Sequence, residues 1–183
     1  MRRIVAVMFM SLDGVVESPD RWVFPYFDDE VGKVVGDAIA QTDTMILGRR
    51  GYEEWAAYWP NVTPEQDPFA SFINGVKKYV VSNTLTSAEW NNSEILSGDV
   101  RSRIEELKAQ DGGTIGMSGS GTTVAWLANE GLLDELSVLV FPVMMGSGTH
   151  LFEEQPEKLG LSLLGSQTLP TGVVWLRYGR ATA

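Results

Sequence analysis

The chain has 183 residues and a mass of 20.1 kDa, is 44% apolar and 21% charged, and carries no cysteine and a single histidine, His150. Those numbers fit one globular domain spanning 1–183, and they exclude disulfide scaffolds, thiolate zinc sites, iron–sulfur clusters and two-histidine metal centres. Fourteen basic against 24 acidic residues leave a net charge of −10, the reverse of the basic footprint of nucleic-acid binders.

Residues 3–10 form a continuous apolar run rich in Ile and Val, the pattern of a strand buried on both faces. Arg2 and Arg3 ahead of it loosely imitate a secretory signal, but the run passes into Ser11-Leu12-Asp13-Gly14 with no small-x-small cleavage site. No stretch approaches the roughly 20 apolar residues of a membrane span. A cytoplasmic chain with no membrane partner is the expectation.

Residues 11–27 are irregular and aromatic, with Trp22, Phe24, Tyr26 and Phe27 around Pro25. A helix follows, with Asp28, Asp29 and Glu30 in its first turn and Val31, Val34, Val35, Ala38 and Ile39 as its apolar stripe. Thr44 to Leu47 reads as a strand stopped by Gly48, and Tyr52 to Ala57 as a short helix. Prolines at 60, 64 and 68 mark a loop. Strands are expected at Lys77 to Val81 and Glu94 to Leu96, and an amphipathic helix over Asp99 to Gln110. Next come a strand at Thr114 to Met117, a helix over Thr122 to Asn129 and a strand at Leu136 to Phe141. Two alternating segments, about 160–167 and 172–180, flank Pro170-Thr171-Gly172 and read as a hairpin. Helical crossovers demand parallel strands and the hairpin demands antiparallel ones. The expected fold is therefore a single α/β domain: a mixed, mostly parallel sheet with a C-terminal antiparallel hairpin and flanking helices.

Three motifs fall just past strand ends, where open α/β sheets bind ligands. The first is the glycine-rich turn from Gly112 to Thr123, which opens a helix and offers backbone N–H groups to an anion. It fails the P-loop pattern because Thr122 stands where Lys is required. It fails the dinucleotide fingerprint because Val124 occupies the third glycine position. A tight strand-to-helix turn without a ligand explains it equally well. The second is Gly48-Arg49-Arg50-Gly51-Tyr52, two adjacent cations able to hold a phosphate or simply to face solvent. The third is Ser82-Asn83-Thr84, suited to ribose or phosphate and equally to a turn.

Taken in order, Ser11-Leu12-Asp13-Gly14, Ile46 to Trp55, Tyr79 to Thr84, Gly119-Ser120-Gly121, Leu133 to Leu136 and Phe141 to Gly148 resemble the dihydrofolate reductase-like superfamily. The nearest branch is the C-terminal reductase domain of the riboflavin-biosynthesis deaminase-reductase. The resemblance covers residues 3 to about 180, and no deaminase half is present in this sequence. It implies a dihydrofolate reductase-like fold, an NADPH cleft and a homodimer. By position, Gly48, Arg49 and Arg50 would hold the cofactor's phosphates, with Arg49 favoured for the 2′-phosphate. Ser82 and Asn83 would flank the adenosine. Gly119, Ser120, Gly121 and Thr122 would cradle the pyrophosphate, and Asp13 and Gly14 would meet the nicotinamide and substrate. Val15 stands where riboflavin-pathway reductases often carry a basic residue, and Gly51 where a threonine is expected.

A hydride acceptor such as C=N or C=O also needs a proton, and a carboxyl group with a raised pKa can supply it. Asp13 and Asp28 are the candidates; a turn former and a helix cap are their plainer uses. Trp22, Phe24 and Trp55 would sandwich a flat heterocycle, or belong to the core. His150, after Gly146-Ser147-Gly148, reads as a loop residue, and no metal ligand set is evident. The expected function is NADPH-dependent reduction of a small heterocycle of the riboflavin-pathway pyrimidine or pterin kind. The alternative is a non-catalytic dinucleotide- or flavin-binding module of the same fold.

Overall fold

A computed structural model of the chain describes residues 1–153 and 158–181. Eight strands form one sheet: β1 (Ile4–Ser11), β2 (Thr42–Gly48), β3 (Lys77–Val81), β4 (Ser93–Leu96), β5 (Thr114–Met117), β6 (Glu135–Phe141), β7 (Leu161–Thr168) and β8 (Val174–Arg180). Their order across the sheet is β4-β3-β2-β5-β1-β6-β8-β7. Every neighbouring pair from β4 to β6 is parallel, and β6–β8 and β8–β7 are antiparallel. The helices are α1 (Asp29–Gln41), α2 (Arg49–Tyr58), α3 (Phe69–Gly75), α4 (Val100–Ala109) and α5 (Gly121–Asn129).

The apolar run of β1 is explained by its central place. Ile4, Ala6 and Met8 enter a core with Ile104 and Leu107 of α4 and Val124 and Leu127 of α5. Val7 and Phe9, on the alternate face, meet Val31 of α1 and Phe141. A third cluster packs Tyr52 of α2 and Ile73 of α3 onto Leu47 and Val80.

Charged residues tie the amino ends of the strands. Arg2 is buried, pairs with Asp43 and donates to the Gly113 carbonyl at 2.9 Å. Glu135 accepts from Arg177 at 2.6 Å and from Arg3 at 2.8 Å. Lys108 reaches Asp134 at 2.5 Å. Opposite charges therefore close the edge of the sheet away from the motifs described above.

Two helices depart from the sequence expectation. α2 begins at Arg49, not Tyr52, because Gly48 in extended conformation (φ −76°, ψ 159°) lets the helix start at once. Both arginines thus lie in its first turn. α3 was hidden because its two turns are too short to display a period; Asp67 Oδ1 starts it by accepting the Phe69 amide at 2.9 Å. The β7–β8 hairpin is closed by a five-residue loop, with Leu169 N donating to Val173 O at 2.8 Å.

Lys78 on β3 is fully buried and makes no ion pair among the described residues. Its Nζ donates to the carbonyls of Ile73 (2.8 Å) and Val76 (2.9 Å) at the C-terminus of α3 and lies 4.3 Å from the centre of the Trp90 ring. Burial, and then the charge of Lys77, lower its pKa from 10.5 to about 8. The folded state then holds fewer protons than the unfolded chain between those values, so stability rises with pH across that window. Urea unfolding of wild type against Lys78→Met should show wild type gaining up to roughly 3 kcal/mol relative to the variant as pH rises from about 8 to 10.5. Parallel pH profiles for the two proteins would contradict this account of Lys78.

Candidate functional site

Because β3, β2, β5, β1 and β6 are parallel neighbours, their carboxyl ends lie along one edge. Motifs far apart in sequence are thereby set in a row: Ser82, then Gly48-Arg49-Arg50, then Gly119-Ser120-Gly121, then Asp13-Gly14, then the segment after Phe141. This is the crevice in which open α/β sheets bind ligands.

The N-terminus of α5 is its centre. Ser120 is the N-cap: its Oγ accepts the Thr123 amide at 3.3 Å and lies 3.0 Å from Thr123 Oγ1. Gly119, at φ +86°, turns the chain from β5 into this cap. First-turn amides have no partner within a helix, so those of Gly121 and Thr122 are left to an external acceptor. The helix dipole favours an anion there. Gly48 is pressed against the same turn: a Cβ on it would stand 2.6 Å from Thr123 Oγ1 and 2.9 Å from Ser120 Oγ. The lack of side chains at 48 and 121 lets β2, α5 and a later loop converge. On Gly121 the obstacle to a Cβ is the Leu151 carbonyl oxygen, at 2.5 Å.

Arg49 and Arg50 follow Gly48 directly and are both exposed. Arg49 Nη1 pairs with Glu53 one turn on, at 2.9 Å, and Arg50 makes no ion pair among the described residues. An exposed pair of this type is worth only about 0.3–0.5 kcal/mol, so an arriving phosphate can exchange for Glu53.

At the other end of the row, loops after β1 and β6 interlock. Asp13 accepts hydrogen bonds from Ser11 Oγ (2.6 Å), Gly146 N (2.7 Å) and Met145 N (3.0 Å). Glu17 accepts from Thr149 N (2.9 Å) and Oγ1 (3.0 Å). Val15 and His150 form an antiparallel bridge, and Leu151 N donates to Gly14 O at 3.0 Å. The His150 ring lies beside Gly14, its Cδ2 3.2 Å from where a Cβ would be.

These contacts correct the expectation of a proton-donating Asp13. The Ser11 hydroxyl, followed by the Gly146 and Met145 amides, holds its pKa down to about 2. It is a carboxylate at any physiological pH and carries no proton to give. The amide and hydroxyl of Thr149 likewise lower Glu17. Asp28 is the N-cap of α1, accepting the Val31 amide at 2.9 Å.

The aromatic sandwich is also corrected. Trp22 is 5% exposed, packs edge-on against Phe141 with ring centres 5.6 Å apart, and donates to Glu17 O at 3.0 Å; it belongs to the core. Phe24 is 69% exposed. Trp55 stands apart on α2, edge-on to Phe69, with Cζ2 3.9 Å from the Cβ position of Gly119. Trp55 therefore borders the glycine turn, whereas Trp22 and Phe24 do not join it. Ser82 Oγ is turned inward, accepting from Leu85 N at 2.9 Å and Thr84 N at 3.2 Å, while Asn83 and Thr84 are exposed.

The partners Glu17–Thr149 and Gly121–Leu151 escaped the sequence reading. The glycines at 146 and 148 were the available signal, since a loop so flexible after Pro142 has to be pinned by something distant. A groove of about 860 Å³ opens between α2 and the 87–91 segment; Tyr52 of the Gly48–Tyr52 motif lines it, but neither Arg49 nor Arg50 does. Among the described residues no helix is long and apolar enough to cross a membrane, and no His, Asp and Glu cluster is set to hold a metal ion.

A protein-family model described as the RibD C-terminal domain matches residues 2–175. Uncharacterized protein YyaP of Bacillus subtilis (strain 168) is 28% identical over 180 residues, 97% of this chain and 94% of that protein. The crystal structure of a putative riboflavin biosynthesis protein from Shewanella sp. PV-4 superposes with a TM-score of 0.77 at 20% identity, covering 98% of this chain and 99% of that one. Dihydrofolate reductase from Enterococcus faecalis, in complex with NADP(H), superposes with a TM-score of 0.64 at 14% identity, covering 98% and 97%. At such identities the structural likenesses establish the fold.

The approach of Leu151 to α5 is open to direct test. Gly121→Ala should lower stability by roughly 1–3 kcal/mol and speed hydrogen exchange of the Leu151 amide, whose acceptor is Gly14. Gly51→Ala, where nothing lies within 4 Å of the new methyl group, is the control and should leave that exchange unchanged. Equal behaviour of the two variants would refute the contact.

Proposed function

The chain belongs to the RibD C-terminal domain family, and from that premise we propose that it is an NADPH-dependent reductase of a small heterocyclic substrate. The observation that carries the reading is the α5 N-terminus. The first-turn amides of Gly121 and Thr122, the Gly48 approach and the two arginines would together cradle a dinucleotide's phosphates. NADPH, when bound, supplies a hydride. Gly121 and Thr122 donate backbone N–H groups to the pyrophosphate, and Gly119 leaves room for it beside Trp55. Arg49 and Arg50 hold the 2′-phosphate through charge-assisted bonds. Asn83 flanks the adenosine. Asp13 would act as a positioning residue, holding the Met145 and Gly146 amides beside the place that Gly14 would offer the nicotinamide and the acceptor.

The proton is left to a group other than Asp13. Asp28, with one carboxylate oxygen on the Val31 amide, keeps the other for water or substrate. The apolar residues of the loops exclude bulk solvent from the reacting atoms.

We also propose a homodimer. β7 is an edge strand paired only with β8, and Leu161, Leu163 and Leu164 are 40–55% exposed. A hollow of about 330 Å³ lined by Leu136, Phe152, Leu161 and Tyr178 lies beside it. A long apolar edge of this kind invites pairing.

Tryptophan quenching by dinucleotides tests the cofactor. NADPH should bind at least about tenfold more tightly than NADH, and Arg49→Gln/Arg50→Gln should erase that preference while leaving NADH binding intact. Failure of both dinucleotides to bind would overturn the reductase reading. Light scattering coupled to gel filtration should give a dimer that Leu163→Glu converts to a monomer; a monomeric wild type would rule the dimer out.

A further inference from the structure

The hollow beside the β7 edge has the make-up of a ligand pocket. Its volume of about 330 Å³ lies at the lower end of the range of about 300–1,000 Å³ usual for small-molecule sites. Leu136 of β6 and Tyr178 of β8, paired across the sheet, form part of its wall. Val124 and Ala128, one turn apart on α5, form another part, and the short side chain of Ala128 leaves space that a longer one would fill. Phe152 and Leu159 continue the apolar lining, and Phe152 is 47% exposed. All of these walls belong to one chain, so the hollow exists before any second copy pairs with β7.

Four charged residues also line it: Asp134, Glu135, Lys158 and Arg180. The two carboxylates are already met by cations, Asp134 by Lys108 and Glu135 by Arg3 and Arg177. Nearby in sequence, Glu130 pairs with Arg101 and Glu153 faces His150 Nδ1 at 3.7 Å. Among the described residues neither Lys158 nor Arg180 makes an ion pair. Arg180 Nη1 stands where a Cβ on Gly131 would lie, just past the end of α5, so glycine at 131 makes room for the guanidinium. In a chain of net charge −10, an apolar hollow thus carries two cations with no carboxylate to answer them.

We propose that this hollow is a second binding site, for a small carboxylate with an apolar body. The body fills the hollow and leaves water for the side chains of α5, β6 and β8. The carboxylate accepts charge-assisted hydrogen bonds from Lys158 and Arg180. An uncharged head would leave both cations to solvent, and an ammonium head would add a third positive charge beside them. At roughly 30 Å³ for each heavy atom, the share of a water molecule in the liquid, the hollow takes about ten such atoms. The site is separate from the dinucleotide crevice, and the proposal stands independently of the reductase reading.

Octanoate, 1-octanol and octylammonium are matched probes of the right size, since they share one body and differ in the charge of the head group. Their binding to the full chain, with and without NADP⁺, is read by calorimetry. Octanoate should bind about tenfold or more tightly than either of the others. Lys158→Gln/Arg180→Gln should remove that advantage and leave 1-octanol binding unchanged. Lys158→Gln alone, at an exposed position that the fold does not depend on, should already weaken octanoate. NADP⁺ should not displace octanoate. Failure of octanoate to bind, equal affinities for the three probes, an advantage that survives the double substitution, or displacement by NADP⁺ would each overturn the proposal. So would tighter octanoate binding by Leu163→Glu than by wild type, because the occupant of the hollow would then be a second copy of the chain.

Discussion

Backbone meets backbone where α5 begins, and the site is organised around that contact. Leu151 O stands so close to Gly121 that no side chain fits between them, and Gly48 approaches the same turn from the other side. Interiors pack to near-crystalline density, so these glycines decide which segments can be neighbours. Remove the constraint and β2, α5 and the 149–151 segment separate. The arginines, the free amides and the Asp13 turn would then no longer share one crevice.

Around that contact the molecule divides its charge with a purpose for each edge. At the amino edge, Arg2, Arg3, Lys108 and Arg177 meet Asp43, Asp134 and Glu135 in pairs. Each pair sets one buried charge, on Arg2, Lys108 or Glu135, against a partner that reaches solvent, and losing that partner would leave the buried charge uncompensated. At the carboxyl edge the charges are exposed and loosely held: Arg49 pairs with the exposed Glu53, and Arg50 makes no ion pair among the described residues.

Much of this was legible in the sequence. The apolar run of β1, the stripe of α1 and the Pro170-Thr171-Gly172 turn each express a local period or a turn preference, and the strand-end motifs follow once parallel strands are inferred. The family resemblance, resting on motif order, is borne out by the domain match over residues 2–175. Local pattern failed where partners are distant. α3 is too short to show a period. Trp22 reads equally as part of a heterocycle sandwich or of the core, and only the fold, which packs it edge-on to Phe141, puts it in the core. Asp13 shows a related limit: a carboxylate after a buried strand suggests a raised pKa, but the Ser11 hydroxyl, and after it the Gly146 and Met145 amides 133 and 132 residues away, lower it instead. Sequence supplies the group; its electrostatic setting comes from residues that only folding brings near.

The central place of β1 also governs how the chain reaches this state. Ile4 pairs across to Ile115 and Val5 to Glu135, so β1 finds its sheet neighbours only after more than a hundred further residues have been made. Pairings of such sequence separation slow folding, because loop closure has to precede any reward. Until then a strand destined for burial on both faces stays uncovered. While it waits for β5 and β6, the apolar run of residues 4–10 is the stretch most open to aggregation and to a chaperone's grip.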